Sequence, residues 1–112
     1  MAGVADRAAR RGDVWWADLD PARGGEIGKR RPVVILGRNA INARRRTVVV
    51  VPLSSLLRAA PPLTVRVHCL QREATAAVDQ VRALDKTRLV EFIETMLPDE
   101  VTAIRAALDD IL

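Results

Sequence analysis

The chain has 112 residues, 49% of them hydrophobic, a net charge of +4, one cysteine and one histidine. That length suits a single domain with a modest core, and one cysteine excludes an internal disulfide, just as one Cys and one His exclude a structural zinc site. No apolar run approaches the ~18 residues of a membrane helix, and the first residues lack the apolar stretch of a signal peptide, so a cytoplasmic location is expected.

The charge is unevenly spread. Residues 1–46 hold eleven Lys and Arg against five Asp and Glu, whereas residues 47–112 hold seven against nine. Sixteen of the eighteen cations are arginine. Arginine favours bidentate phosphate contact and so a nucleic-acid partner. A GC-rich coding sequence produces the same bias, and composition alone does not separate the two.

Residues 1–10 are small and charged without a period and are expected to form a flexible extension, with a single domain over 11–112. Val14–Leu19 is β-prone, with Trp15, Ala17 and Leu19 on one face. Asp20-Pro21 ends it. A loop follows with Gly24, Gly25 and Gly28 around Glu26, a mobile or tightly turned segment. A second strand is expected over Pro32–Leu36, then a polar loop over Gly37–Arg46 ending in three arginines, then a third strand over Thr47–Val51. Ser54–Ala60 is read as a short helical turn before Pro61-Pro62. Thr64–Leu70 alternates, with Val65, Val67 and Cys69 facing one way and Thr64, Arg66 and His68 the other. A further strand is expected around Ala76–Leu84, and a turn at Asp85–Arg88. Leu89–Met96 fits helix or strand. Pro98 suits the first turn of a helix, with Asp99 and Glu100 at its positive end. Val101, Ile104, Leu108, Ile111 and Leu112 form its apolar stripe. Short strands closed by one helix suggest a small barrel or a strongly bent sheet.

The most informative stretch is Lys29-Arg30-Arg31-Pro32-Val33-Val34-Ile35-Leu36. Pro32 keeps Arg31 extended at the mouth of a strand that is apolar on both faces. A guanidinium held at such a rim is placed to grip an anion, phosphate best of all. Val48–Val51 and Pro52 lead to the hydroxyl pair Ser54-Ser55. If the two strands lie side by side, Arg31 and Ser54 share one pocket. Other chemistries lack their signatures. The glycine loop does not have the spacing of a phosphate-loop or dinucleotide fingerprint, there is no Gly-x-Ser-x-Gly elbow, and the carboxylates are too scattered to predict a magnesium site. His68 alone cannot supply an acid–base histidine pair.

Taken in order, Arg11-Gly12-Asp13-Val14-Trp15, Gly24-Gly25-Glu26, Arg31-Pro32-Val33, Asn42, Val51-Pro52-Leu53-Ser54-Ser55, Asp79-Gln80-Val81-Arg82 and Asp85-Lys86-Thr87-Arg88-Leu89 resemble the MazF/PemK toxins over residues 11–112. The resemblance implies a mainly β fold, a compact SH3-like β-barrel with a C-terminal helix, assembled as a homodimer. It implies the toxin of a toxin–antitoxin module: a metal-independent, cofactor-free endoribonuclease (an mRNA interferase). Such an enzyme cuts single-stranded RNA at a specific sequence, leaves 2′,3′-cyclic phosphate and 5′-hydroxyl ends, and halts translation and growth. A MazE-like antitoxin with an acidic, disordered tail would block the site. Carried over residue by residue, the catalytic set is Arg31, Ser54 and Asp79, and the RNA-binding set is Glu26, Lys29, Arg30, Asn42, Ser55, Gln80 and Arg82. The chain departs from the family at three points: Ser54 stands where most members have threonine, Gly25 where others place histidine or serine, and Ala77 where some carry a basic residue.

The chemistry constrains the roles. A guanidinium with a pKa above ~12 is a poor base at neutral pH. Arg31 is therefore read as an electrostatic clamp on the phosphorane, Ser54 as a hydrogen-bond donor to it, and Asp79 as the base. Trp15 and Trp16 either stack bases or fill the core, with at least one expected in the core. Arg44–Arg46 either grip flanking phosphates or form a solvated loop. Lys86 and Arg88 are read as structural. Two rival functions use the same fold: a gyrase poison, which acts through its C-terminus, and a basic module that binds nucleic acid without cutting it.

Overall fold

The computed structural model describes residues 8–112. The N-terminal extension expected over residues 1–10 lies largely outside the described residues. Seven strands and one long helix follow in the order β1 (Asp13–Asp18), β2 (Arg30–Ile35), a one-turn helix α1 (Asn39–Asn42), β3 (Thr47–Ser54), β4 (Thr64–Cys69), β5 (Arg72–Ala77), β6 (Arg82–Asp85), β7 (Leu89–Thr95) and α2 (Pro98–Ile111). Every strand pairing is antiparallel. The strands run β4-β5-β3-β2-β1-β7 across the sheet, and β6 also pairs with β3.

The three central strands are apolar on both faces because both faces are covered. Val14, Val34, Leu36, Val51 and Leu53 join Val67, Ala76 and the helix residues Val101, Ile104 and Ala107 in one core cluster. Trp15, Ala17, Leu19, Val33, Ile35, Val48 and Val50 join Leu84 and Leu89 in the other. Phe92 stands edge-on to Trp15, with ring centroids 5.9 Å apart. Continuous apolar runs such as Val33–Leu36 are what a strand buried on both sides requires. The entry to β1 is set by Gly12, whose φ of +90° favours glycine. Its N–H bonds to Ile35, its carbonyl accepts from Met96, and Arg11 Nε donates to Leu36 at 2.8 Å. The Arg-Gly-Asp motif is therefore a structural joint between β1, β2 and β7.

Several expectations are corrected. The barrel does not close: β4 and β7 end the sheet path and no pairing joins them. Helix α2 packs instead on β4 and seals that core cluster. The strand expected over Ala76–Leu84 is two strands joined by a 3₁₀ turn at Val78–Gln80. Leu53 faces Ala76 and Val50 faces Arg82, so the two residues of β3 between these pairings are opposed by five of its neighbour, a surplus of three. The surplus is pushed out as a bulge. The polar loop Gly37–Arg46 contains α1, and of the expected helical turn over Ser54–Ala60, Ser54 ends β3 and the rest is irregular. Leu89–Thr95 is a strand. In α2 the buried residues are Val101, Ile104 and Ala107, while Leu112 is 90% exposed beyond the last turn.

Candidate active site

Arg31 and Ser54 come together as their strands predict. β2 and β3 pair with Val33 opposite Pro52 and Val34 opposite Val51. The same register continued two residues puts Arg31 opposite Ser54. Both line a cavity of about 280 Å³, together with Arg30, Trp16 and Pro32 on the central strands, Ser55 just past β3, and Arg72 and Glu73 on β5. Arg31 is half-buried, and its Nε is a buried donor with no hydrogen-bond partner among the described residues. Ser54 is 8% exposed, and its Oγ accepts from the Leu56 N–H at 3.1 Å. That bond occupies a lone pair and leaves the hydroxyl proton free to be donated.

A second cavity of about 430 Å³ lies next along β3, lined by Pro52, by Glu26 and Ile27 of the β1–β2 loop, and by Asp79, Gln80 and Arg82 of the bulge and β6. The exposed Asp79 therefore lines a cavity adjacent to that of Arg31 and Ser54, not the same one. Gln80 ties the two sides together: its Oε1 accepts from Ile27 N at 2.7 Å, and its Nε2 donates to Gly25 O at 3.3 Å. Glu26 folds back to accept from Arg23 N at 2.7 Å.

The base of this loop is also pinned. Asp20 Oδ1 accepts from Lys29 N at 2.6 Å, and Lys29 O accepts from Leu19 N at 2.8 Å. Lys29 itself has a positive φ of 64° and lines neither cavity. Arg88 reaches across to the carbonyls of Asp18, at 3.2 Å, and of Asp20. This is a structural role, as expected, made through the β1–β2 turn. Lys86 Nζ similarly donates to the Asn42 carbonyl.

Asn42 is not brought to either cavity. It is 3% exposed, and its amide donates to Gly37 O at 2.9 Å, at the opposite end of β2 from Arg31. Trp15 is core, as expected of at least one of the two, and Trp16 is half-buried at the cavity. Sequence reasoning missed Arg72. It follows a two-residue hairpin turn in which Leu70 (φ 56°) and Gln71 (φ 62°) are both left-handed. Such turns are normally signalled by Asn-Gly or Asp-Gly, and Leu-Gln conceals this one. Cys69 lines the same cavity, and burial, with Glu94 beside it, raises its thiol to about 11. It is neutral at pH 7. Among the described residues no three of His, Cys, Asp and Glu gather as metal ligands.

A sequence model of PemK-like, MazF-like toxins of type II toxin–antitoxin systems matches residues 10–112. Endoribonuclease MazF9 of Mycobacterium tuberculosis is 32% identical over 108 residues, covering 88% of this chain and 92% of that protein. The crystal structure of MazF (Form-I) from Deinococcus radiodurans superposes with a TM-score of 0.85 at 25% identity, covering 95% of this chain and 97% of the other. That of MazE-MazF (Form-III) from the same organism superposes with a TM-score of 0.76, also at 25% identity, over 94% and 96%. With nearly its whole length matched, the chain belongs to the PemK-like, MazF-like toxins of type II toxin–antitoxin systems.

Proposed function

We propose that this protein is the toxin of a type II toxin–antitoxin module and acts as a sequence-specific endoribonuclease on single-stranded messenger RNA, inhibiting translation and growth. The reading is carried by one observation: Arg31 stands opposite Ser54 at the rim of one cavity, with Arg30 and Arg72 beside them. Family membership and the endoribonuclease relative support it. The functional unit is a single domain over residues 11–112, a homodimer in the cytoplasm. Among the described residues no helix is long and apolar enough to cross a membrane.

The reaction is attack of a ribose 2′-oxygen on the adjacent phosphorus. The P–O5′ bond breaks, giving a 2′,3′-cyclic phosphate and a 5′-hydroxyl. Arg31 clamps the phosphorane oxygens, and its unpaired, desolvated Nε–H strengthens that contact. Ser54 donates its free hydroxyl proton to the same charge. Asp79 takes the 2′-proton from the neighbouring cavity, which Pro52 lines on β3. The leaving 5′-oxygen is protonated from solvent. Charge stabilisation then supplies most of the acceleration, without a metal or cofactor, and turnover is slow.

The remaining site residues divide by position. Arg30 and Ser55 flank the scissile phosphate, while Glu26, Gln80 and Arg82 line the cavity where unstacked bases are read. Lys29 acts from the exposed loop base. Asn42 contacts RNA only through strand held at the far end of β2. The partner antitoxin is MazE-like, and its acidic tail occupies the arginine-lined cavity as a mimic of RNA phosphates.

The test is cleavage of a mixed-sequence RNA in excess chelator by the wild type and by Arg31→Ala, with cut sites and end groups mapped. Cyclic-phosphate ends at a recurring sequence, lost in Arg31→Ala, are expected. Intact RNA with binding retained would turn the reading to a non-cutting module. Neither cutting nor binding would return the gyrase poison.

A further inference from the structure

We propose that Arg72 is a phosphate-binding residue that holds a backbone phosphate next to the scissile one, so that the β4–β5 hairpin forms one wall of the RNA track. The inference rests on the endoribonuclease reading and deepens it.

Arg30, Arg31 and Arg72 line one cavity of about 280 Å³. Against these three guanidinium groups stand Glu73 in the lining, which is already bridged to Arg66 at 3.0 Å, and Glu94 at the edge, which accepts from Leu70 N. Cys69 is neutral. The cavity therefore carries a surplus of guanidinium charge for one phosphate, and the strands set the spacing. β5 meets Ser54 at Thr75. Arg72 is three residues further along, about 10 Å of strand and on the other face of β5 from Thr75, and it lines the cavity from the turn end of the hairpin. Arg31, opposite Ser54, takes the reacting phosphate, and Arg72 is set off from it along the cavity wall.

Its backbone is held as a preformed contact requires. Arg72 pairs with Cys69 at the last rung of the hairpin, the turn has both residues at positive φ, and Leu70 N is bonded to Glu94 Oε2 at 2.9 Å. A planar fork on a fixed strand end suits a phosphodiester and loses little freedom on binding.

The experiment measures affinity for an uncleavable 2′-O-methyl oligoribonucleotide pool against salt concentration, for the wild type, Arg72→Gln, Arg72→Lys and Arg105→Gln. Each phosphate contact to a single strand contributes about 0.7 to the slope of log K against log salt. Arg72→Gln is expected to lower the slope by about 0.7, and Arg72→Lys to restore it. Arg105→Gln, an equal charge loss on an exposed face of α2, should leave it unchanged. On cleavable RNA, Arg72→Gln is expected to lower kcat/KM by the same factor at every cut site, because the contact reads backbone rather than base. An unchanged slope in Arg72→Gln with binding intact would overturn the proposal alone, as would an equal fall in Arg105→Gln or a changed recognition sequence. A wild type that does not bind RNA would overturn both this proposal and the functional reading beneath it.

Discussion

The Nε of half-buried Arg31 is a buried donor without a partner among the described residues, and Ser54 Oγ is a buried acceptor with one. The two should therefore respond differently to truncation. Arg31→Ala removes a desolvated, unpaired group. It is expected to lower kcat by about 10²–10³ while leaving the melting temperature unchanged or slightly raised, as single-turnover kinetics and thermal denaturation would show. Ser54→Ala removes the proton donor and strips Leu56 N–H of its acceptor. It should lose activity and also about 1 kcal/mol of stability. Ser54→Thr keeps the hydroxyl and should retain cleavage. Cys69, with its thiol raised to about 11 by burial and Glu94, should react negligibly with an alkylating reagent at pH 7. The rate should climb as pH approaches that value. Rapid labelling at pH 7 would contradict its placement against the cavity wall.

At the scale of elements, the β1–β2 loop is clamped at its tip by Gln80 and at its base by Asp20 and Arg88. A Cβ on Gly28 would lie 2.6 Å from Asp20 Oδ1 and 2.8 Å from Ala22 Cβ. Gly28→Ala is thus expected to displace the segment leading to Arg31 and to cost about 1–3 kcal/mol, read as a lower denaturation midpoint with impaired cleavage. Gln80→Ala frees only the exposed tip. It should weaken kcat/KM with little change in stability, since such loops open locally. The turn before β7 has its own pH signature. Hydrogen bonds from the Thr87 hydroxyl and N–H hold the Asp85 carboxyl below its ordinary value. A depressed folded-state pKa stabilises above the unfolded value of about 3.9 and loses that contribution as pH falls through the lower folded value. Asp85→Asn should therefore be less stable than the wild type at pH 7, with the gap closing below about pH 4.

Over the whole molecule, one helix seals the open side of the sheet. Ile104 is fully buried between α2 and the cluster built on Val14, Val34 and Val51. Ile104→Ala is expected to cost about 2–5 kcal/mol, a large part of the stability of a domain this small. Calorimetry would register it as a substantial drop in melting temperature. The positive charge concentrated in residues 1–46 is joined at the cavity by Arg72 from the net-negative second half. RNA association should accordingly slow steeply as salt is raised.

Much of this was legible in the residues themselves. Pro32 forced Arg31 to extend, Val33–Leu36 demanded burial on both faces, and Pro98 with its acidic followers opened a helix. Each is a local steric or solvation requirement that the neighbouring chain cannot alter. The Arg31–Ser54 pairing was legible only conditionally, because it needed two strands side by side. The register that satisfied the condition belongs to the sheet. What the tertiary structure alone decided came from long-range pairing. Three surplus residues opposite β3 pushed Asp79 and Gln80 out toward the β1–β2 loop, which set Asp79 beside the neighbouring cavity. Asn42 turned inward to satisfy Gly37, and the Leu70-Gln71 hairpin carried Arg72 to the wall of the site. None of these leaves a periodic or compositional trace, because each depends on which strand edge a residue meets rather than on the residues next to it.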